Sequence, residues 1–202
     1  MKITAIQQQV RREGRYSIFV DGKYAFSLSA DALLESKLTQ GQELSQVKLT
    51  EYKRLSQEDK AYNLALVYVA PRMRSEGELH DYFRRKQYAP EFAQQLLEKL
   101  RRLGLVDDRE FARRWVENRR LLKATSTKKL RLELRQKKIS DDIIRLALVE
   151  DQTDERQLLR ELMAKKRKQT RYQDDQKLIA YLARQGFSYD DIKSALAFNQ
   201  MK

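Results

Sequence analysis

Apolar and polar positions alternate with a period of two between Tyr16 and Leu28: Tyr16, Ile18 and Val20, then Asp21-Gly22, then Tyr24, Phe26 and Leu28. The pattern predicts a β-hairpin closed by a type I′ turn, because Asp-Gly tolerates the positive φ that both central turn positions require. A further strand over residues 3–10 pairs with the hairpin, and Gly14 separates it from the next strand. Four aromatics, Tyr16, Phe19, Tyr24 and Phe26, are read as hairpin core. The alternation stops at Ala30, after which two short helices are expected, over 31–36 and 45–55, with a turn at Gly41. From there onward the apolar spacing is helical throughout.

Those helices repeat. Three copies align on Leu79, Leu130 and Leu178; four residues later come Phe83, Leu134 and Leu182, and nine later Tyr88, Ile139 and Phe187. Ala93, Ile144 and Ile192 follow at fourteen, and Leu97, Leu148 and Leu196 at eighteen. A period of about 50 residues is long enough for three helices per unit. In each copy a polar turn, RRKQY, RQKKI or ARQGF, ends one helix. The next helix opens with Pro90 in its first turn, or with Ser140 or Ser188 as N-cap. The expected fold is mainly α: a β-hairpin and short helices over 1–55, then three-helix repeats over 56–105, 106–152 and 153–202.

Charge sharpens this picture. Lys and Arg number 42 against 29 Asp and Glu, a net +13, which suits a polyanionic partner. A mean hydropathy of −0.77 favours an elongated body with much surface per buried residue. With no cysteine, no disulfide framework or thiolate metal site is expected, and a reducing cytoplasm fits. The opening MKITAIQQQV lacks the apolar core of a secretory signal, and no apolar run approaches the roughly 18 residues of a membrane span.

Catalytic constellations are hard to find. The one histidine, His80, reads as a packed or solvated residue, and six glycines form no phosphate-binding loop. Four Asp pairs, at 107/108, 141/142, 174/175 and 190/191, could in principle hold metals for phosphodiester cleavage, but each falls where a helix should start. Anions there are stabilised by about 0.3 to 1 kcal/mol. A non-enzyme with no cofactor and no bound metal is expected.

The basic clusters are the sharper signal. Between Arg113 and Lys138 eleven cations face only Glu117 and Glu133. Lys128, Arg131, Arg135 and Lys138 recur at helical spacing as one cationic stripe. Arg113, Arg114, Arg119 and Arg120 precede it. A second cluster comprises Lys165, Lys166, Arg167 and Lys168, and a third Arg72, Arg74, Arg84 and Arg85. On successive repeats these sixteen residues form a candidate track for phosphates, while no Asn, Gln and Arg set is arranged to read base edges. Phe111 and Trp115 of the same stretch read as core.

Three segments resemble the RecX family, regulators of the RecA recombinase: SIFVDGKYAFSLS (17–29), RMRSEGELHDYFRRK (72–86) and GLVDDREFARRWVENR (104–119). The resemblance spans essentially the whole chain. It implies a curved array of three-helix units that binds in the groove of the RecA–DNA filament. There it would modulate filament growth, ATP hydrolysis and strand exchange, usually as an inhibitor. Separately, a monomer is expected, with single- or double-stranded DNA as a possible direct contact. The family supplies no contact residues to carry over. A stand-alone, sequence-nonspecific nucleic-acid-binding or architectural protein is the alternative.

Overall fold

The structure, a computed structural model, describes residues 1–200, with side chains up to residue 197. It divides into two compact units, Met1–Arg72 and Met73–Lys202.

In the first unit β1 (Ile3–Gln8), β2 (Arg15–Val20) and β3 (Lys23–Ser29) form an antiparallel meander in that order. Asp21 and Gly22 take φ of 49° and 77°, as the type I′ turn demands. Ile18, Val20, Phe26 and Leu28 pack with Ile3, Leu38, Leu44 and Leu49 in one core. Two expectations change. β1 stops at Gln8, and Val10 is exposed. Tyr24 is also exposed, edge-on to Phe19, because the register slips between Ile18 and Phe19: Ile18 pairs with Phe26 but Phe19 pairs with Tyr24. The extra residue, Ala25, breaks the two-residue alternation, so Tyr24 does not share the face of Phe26.

After α1 (Ala30–Ser36), α2 runs from Gln46 to Val69 without a break. The helix expected to end at residue 55 therefore continues for 14 more residues, across the point where the sequence separates the N-terminal segment from the first repeat. Nothing at Leu55-Ser56 can stop it: no glycine, proline or cap stands there. Ser56 instead donates its hydroxyl to the Ser27 carbonyl at 2.6 Å. One turn further, Asp59 receives Arg15 at 3.0 Å, the Ser29 backbone N–H at 2.9 Å and the Ser29 hydroxyl at 2.5 Å. This buried pair fixes helix to sheet, and its full set of hydrogen bonds offsets the cost of desolvating two charges.

The second unit contains α3 (Glu76–Arg85), α4 (Pro90–Arg102), α5 (Asp108–Lys123), α6 (Thr127–Gln136), α7 (Asp141–Glu150), α8 (Glu155–Arg167), α9 (Asp175–Arg184) and α10 (Tyr189–Gln200). A 3-10 turn over Thr170–Tyr172 joins α8 to α9. The aligned apolar positions all turn inward: only Tyr88, Leu148 and Leu196 are half-buried, and the other twelve are buried. α5 to α7 close around Phe111, Val116, Leu130, Leu134 and Ile144; α8 to α10 close around Leu159, Met163, Leu178, Leu182 and Ile192. Each triplet thus has its own core.

The three polar turns share one geometry that only the last shows in its sequence. Gln87, Lys138 and Gly186 occupy the same repeat position and all have positive φ, at 57°, 61° and 91°. In each, the following N–H reaches back to a helix carbonyl: Tyr88 to Phe83 at 3.2 Å, Ile139 to Leu134 at 3.1 Å, Phe187 to Leu182 at 3.4 Å. This is the Schellman arrangement, which satisfies the orphan carbonyls of a helix end and here also drives an apolar residue into the core.

Candidate nucleic-acid interface

The cations of α5 are mostly spent within the chain. Arg113 binds Glu110 and Glu117, and Arg114 binds Glu110 at 2.6 Å. Hydrogen bonds from these two arginines hold the Glu110 carboxyl at about 2, well below the ordinary carboxylate range. Arg119 bonds Glu133 at 2.7 Å and lies 4.5 Å over the Trp115 ring, whose indole N–H also donates to Glu133. Trp115 in turn stacks on buried Phe111. Arg120 is buried, its side chain 9% exposed, and binds Asp151, the Thr125 carbonyl and the Thr127 hydroxyl. It closes α5 onto the segment between α7 and α8.

α6 differs. A Ser126 cap opens it, Leu130 and Leu134 bury its inner face, and Lys128, Arg131 and Arg135 stand exposed on the outer one. Arg135 bonds Asp141 at 2.8 Å and lowers that carboxyl below its usual range, the more distant Arg131 charge adding to the effect. Lys128 and Arg131 form no ion pair among the described residues. Lys138 leaves the expected stripe: its left-handed backbone turns the ammonium to Asp81 on α3.

Of the remaining candidates, Arg84 pairs with Asp81, Arg167 binds Asp175 and the Gln173 carbonyl, and Lys166 lies 4.6 Å over the Tyr181 ring. Arg72 and Arg74 make interactions of their own. Arg85, Lys165 and Lys168 are exposed. The sixteen candidates therefore separate into a majority with partners inside the chain and a minority, Arg85, Lys128, Arg131, Lys165 and Lys168, that are exposed and form no ion pair among the described residues.

Sequence reasoning also missed a junction that recurs between successive repeats. The Ser75 hydroxyl, the N-cap of α3, donates to the Lys137 carbonyl at 2.7 Å, and the Glu76 N–H donates to Asp108 at 2.8 Å. One repeat on, the Ser126 N–H donates to the Gln185 carbonyl at 3.1 Å and the Thr127 N–H to Glu155 at 3.1 Å. Approach is so close that a side-chain carbon at Gly77 would lie 2.4 Å from Lys138 Cβ, and one at Gly186 2.3 Å from the Ser126 hydroxyl. Lys137 pairs with Glu78, and Lys129 donates to the Arg184 carbonyl. Burial at the first junction pushes the Asp108 carboxyl up to about 6, against the opposing pull of the Glu76 N–H. The equivalence of Ser75 with Ser126 was available from the repeat register, whereas Glu155 lies one residue out of the register that would match it to Asp108.

The Asp pairs serve as helix starts. Asp107 accepts from the Arg109 and Glu110 N–H groups, Asp174 accepts from that of Lys177, and Ser140 and Ser188 cap the helices that carry the other two pairs. No group of three or more potential metal ligands is present among the described residues, and His80 is exposed. No helix there is long and apolar enough to cross a membrane.

A small antiparallel sheet leading into tandem three-helix repeats, locked by a recurrent serine junction and bearing exposed cations on α6, defines a helical-repeat protein. Models of the RecX N-terminal domain and of the first, second and third RecX three-helix domains match residues 1–45, 61–100, 107–148 and 154–196. The chain is 34% identical to the regulatory protein RecX of Bacillus subtilis, over 96% of this chain and 75% of that one, and 30% identical to that of Listeria monocytogenes, over 96% and 74%. A crystal structure of regulatory protein RecX matches with a TM-score of 0.72 at 30% identity, covering 97% of this chain and 98% of the other. The RecX of Lactobacillus salivarius matches with a TM-score of 0.59 at 25% identity, over 72% of this chain and 97% of that one. The chain belongs to the RecX family of regulatory proteins.

Proposed function

We propose that this chain regulates the RecA recombinase by binding in the groove of the RecA–DNA filament, where it restrains filament growth, ATP hydrolysis and strand exchange. Membership of a family of regulatory proteins supports the class of activity. The observation that carries the binding mode is the outer face of α6, where Lys128 and Arg131 stand exposed beside an internal ledger of otherwise paired arginines. Cations already bound to carboxylates have little to gain from a phosphate; unpaired ones release counterions when they find one. Arg85, Lys165 and Lys168 are the further contacts of this reading. No catalytic step is assigned, since the carboxylates that could have held metals cap helices instead.

The test is the DNA-dependent ATPase rate of preformed RecA filaments titrated with this protein, with excess free DNA as competitor. A fall in rate at substoichiometric amounts that resists added DNA is expected. No effect, or one that competitor DNA abolishes, would leave a general nucleic-acid binder.

A further inference from the structure

The C-terminal end of α5 carries the most exposed apolar pair on the helical repeats. Leu121 is 82% exposed and Leu122 74%, side by side. Adjacent leucines do not follow from the needs of the α5 core, which Phe111, Ala112 and Val116 fill. They open instead onto a groove of about 540 Å³ between α5, α8 and α9, which Leu158, Leu162 and Tyr181 also line. Three ammonium groups rim it: Lys123, Lys165 and Lys166. One carboxylate, Glu161, is on the rim and accepts from Gln157 at 2.9 Å, while the charge of Arg120 at the base is neutralised by Asp151. The groove thus sets exposed leucines beside Leu158, Leu162 and Tyr181 under a positive edge.

That combination selects its occupant. A nucleic acid would meet the lysines but offers nothing aliphatic to the leucines, and its bases favour aromatic faces for stacking. A second copy of this chain, itself at +13, is repelled by a basic rim. An acidic peptide segment with aliphatic side chains spaced one helical turn apart satisfies both features, laying its apolar face on the leucines and its carboxylates against the lysines. We propose that the groove between α5, α8 and α9 docks such an acidic, leucine-bearing segment of a partner protein. This contact is additional to phosphate binding by Lys128 and Arg131 on α6 and shares only Lys165 with the further phosphate contacts, Arg85, Lys165 and Lys168.

The probe is a fluorescein-labelled twelve-residue peptide rich in Glu with Leu at every third or fourth position, read by anisotropy against the full chain; a peptide with each Leu replaced by Ser and a thymidine oligonucleotide serve as controls. Neither recombinase nor DNA enters the peptide measurement, so its result is independent of the filament reading. The leucine peptide should bind at least tenfold more tightly than the serine peptide. L121S/L122S should remove that advantage while leaving helical content and oligonucleotide affinity unchanged, as expected for exposed positions. K123E/K165E should also weaken peptide binding at least tenfold. Equal binding of both peptides, or full binding by L121S/L122S, would reduce the effect to charge attraction and overturn the proposal. An oligonucleotide affinity that falls with L121S/L122S as much as the peptide's would overturn it in favour of nucleic acid.

Discussion

On α5, Arg113 and Arg114 share Glu110, Arg119 is held by Glu133 and Trp115, and Arg120 is buried with Asp151. On α6, the next helix in the chain, Lys128 and Arg131 have no ion-pair partner among the described residues. The two helices look alike in composition, and the difference lies in where acids come from. α5 has Glu110 and Glu117 within its own helical turns and receives Asp151 and Glu133 from neighbouring elements; the only acid of α6, Glu133, faces back to α5. Charge density along a sequence therefore overstates a binding surface wherever carboxylates of the same helix or of packed neighbours consume the charge.

The largest expected effect breaks the buried side of this comparison. Arg120→Ala should cost about 3 kcal/mol or more of stability, because it strands Asp151 as a buried carboxylate with only the Thr153 donors left. A urea midpoint unchanged from the parent protein would show that Arg120 is not structural. Next comes the exposed side: Lys128→Glu with Arg131→Glu should weaken filament binding about tenfold or more at 0.1 M salt, with the circular dichroism of the helices intact. Undiminished affinity would put the binding face on another element.

A smaller effect belongs to the first residue of α5. The folded carboxyl of Asp108 titrates at about 6, above the roughly 3.9 of an unfolded chain. Between those values the folded state holds more protons, so Asp108 makes stability decline as pH rises from about 4 to about 6. Asp108→Asn should abolish that decline and give the greater benefit at neutral pH; parallel stability curves for the two proteins would contradict the burial argument. The smallest effect compares turns. Gln87→Gly should stabilise by about 0.5 to 1 kcal/mol, since its left-handed backbone, like that of Gly186, suits glycine. A lower thermal midpoint would mean that the Gln87 side chain contributes more than its backbone costs.

Much of the fold could be read from the sequence because its signals are local. Asp21-Gly22 specifies a turn by itself, and Ser75, Ser140 and Ser188 cap helices through a donor three residues away. The five-position apolar alignment found buried positions in all three copies, and the second and third copies each close a core of their own. The full length of α2 was hidden because the sequence offered a new periodic run and no stop signal between Leu55 and Val69. The left-handed turns at Gln87 and Lys138 were hidden because neither is glycine, although the repeat register with Gly186 pointed to them. The candidate site was legible only as a basic region. Which cations remain available depends partly on near carboxylates, such as Glu110 and Glu117 for Arg113, and partly on partners 14 to 57 residues distant, such as Glu133 for Arg119 and Asp81 for Lys138, which no local window contains.

The most direct test of the difference between the two helices is the salt dependence of DNA binding for Lys128→Gln with Arg131→Gln against Arg113→Gln with Arg114→Gln. Each lost phosphate contact lowers the log-log slope by about 0.7 on single strands or 0.9 on duplex. The α6 variant should lose about 1.4 on single-stranded DNA and the α5 variant close to nothing. An equal loss in both, or a larger one in the α5 variant, would contradict the account.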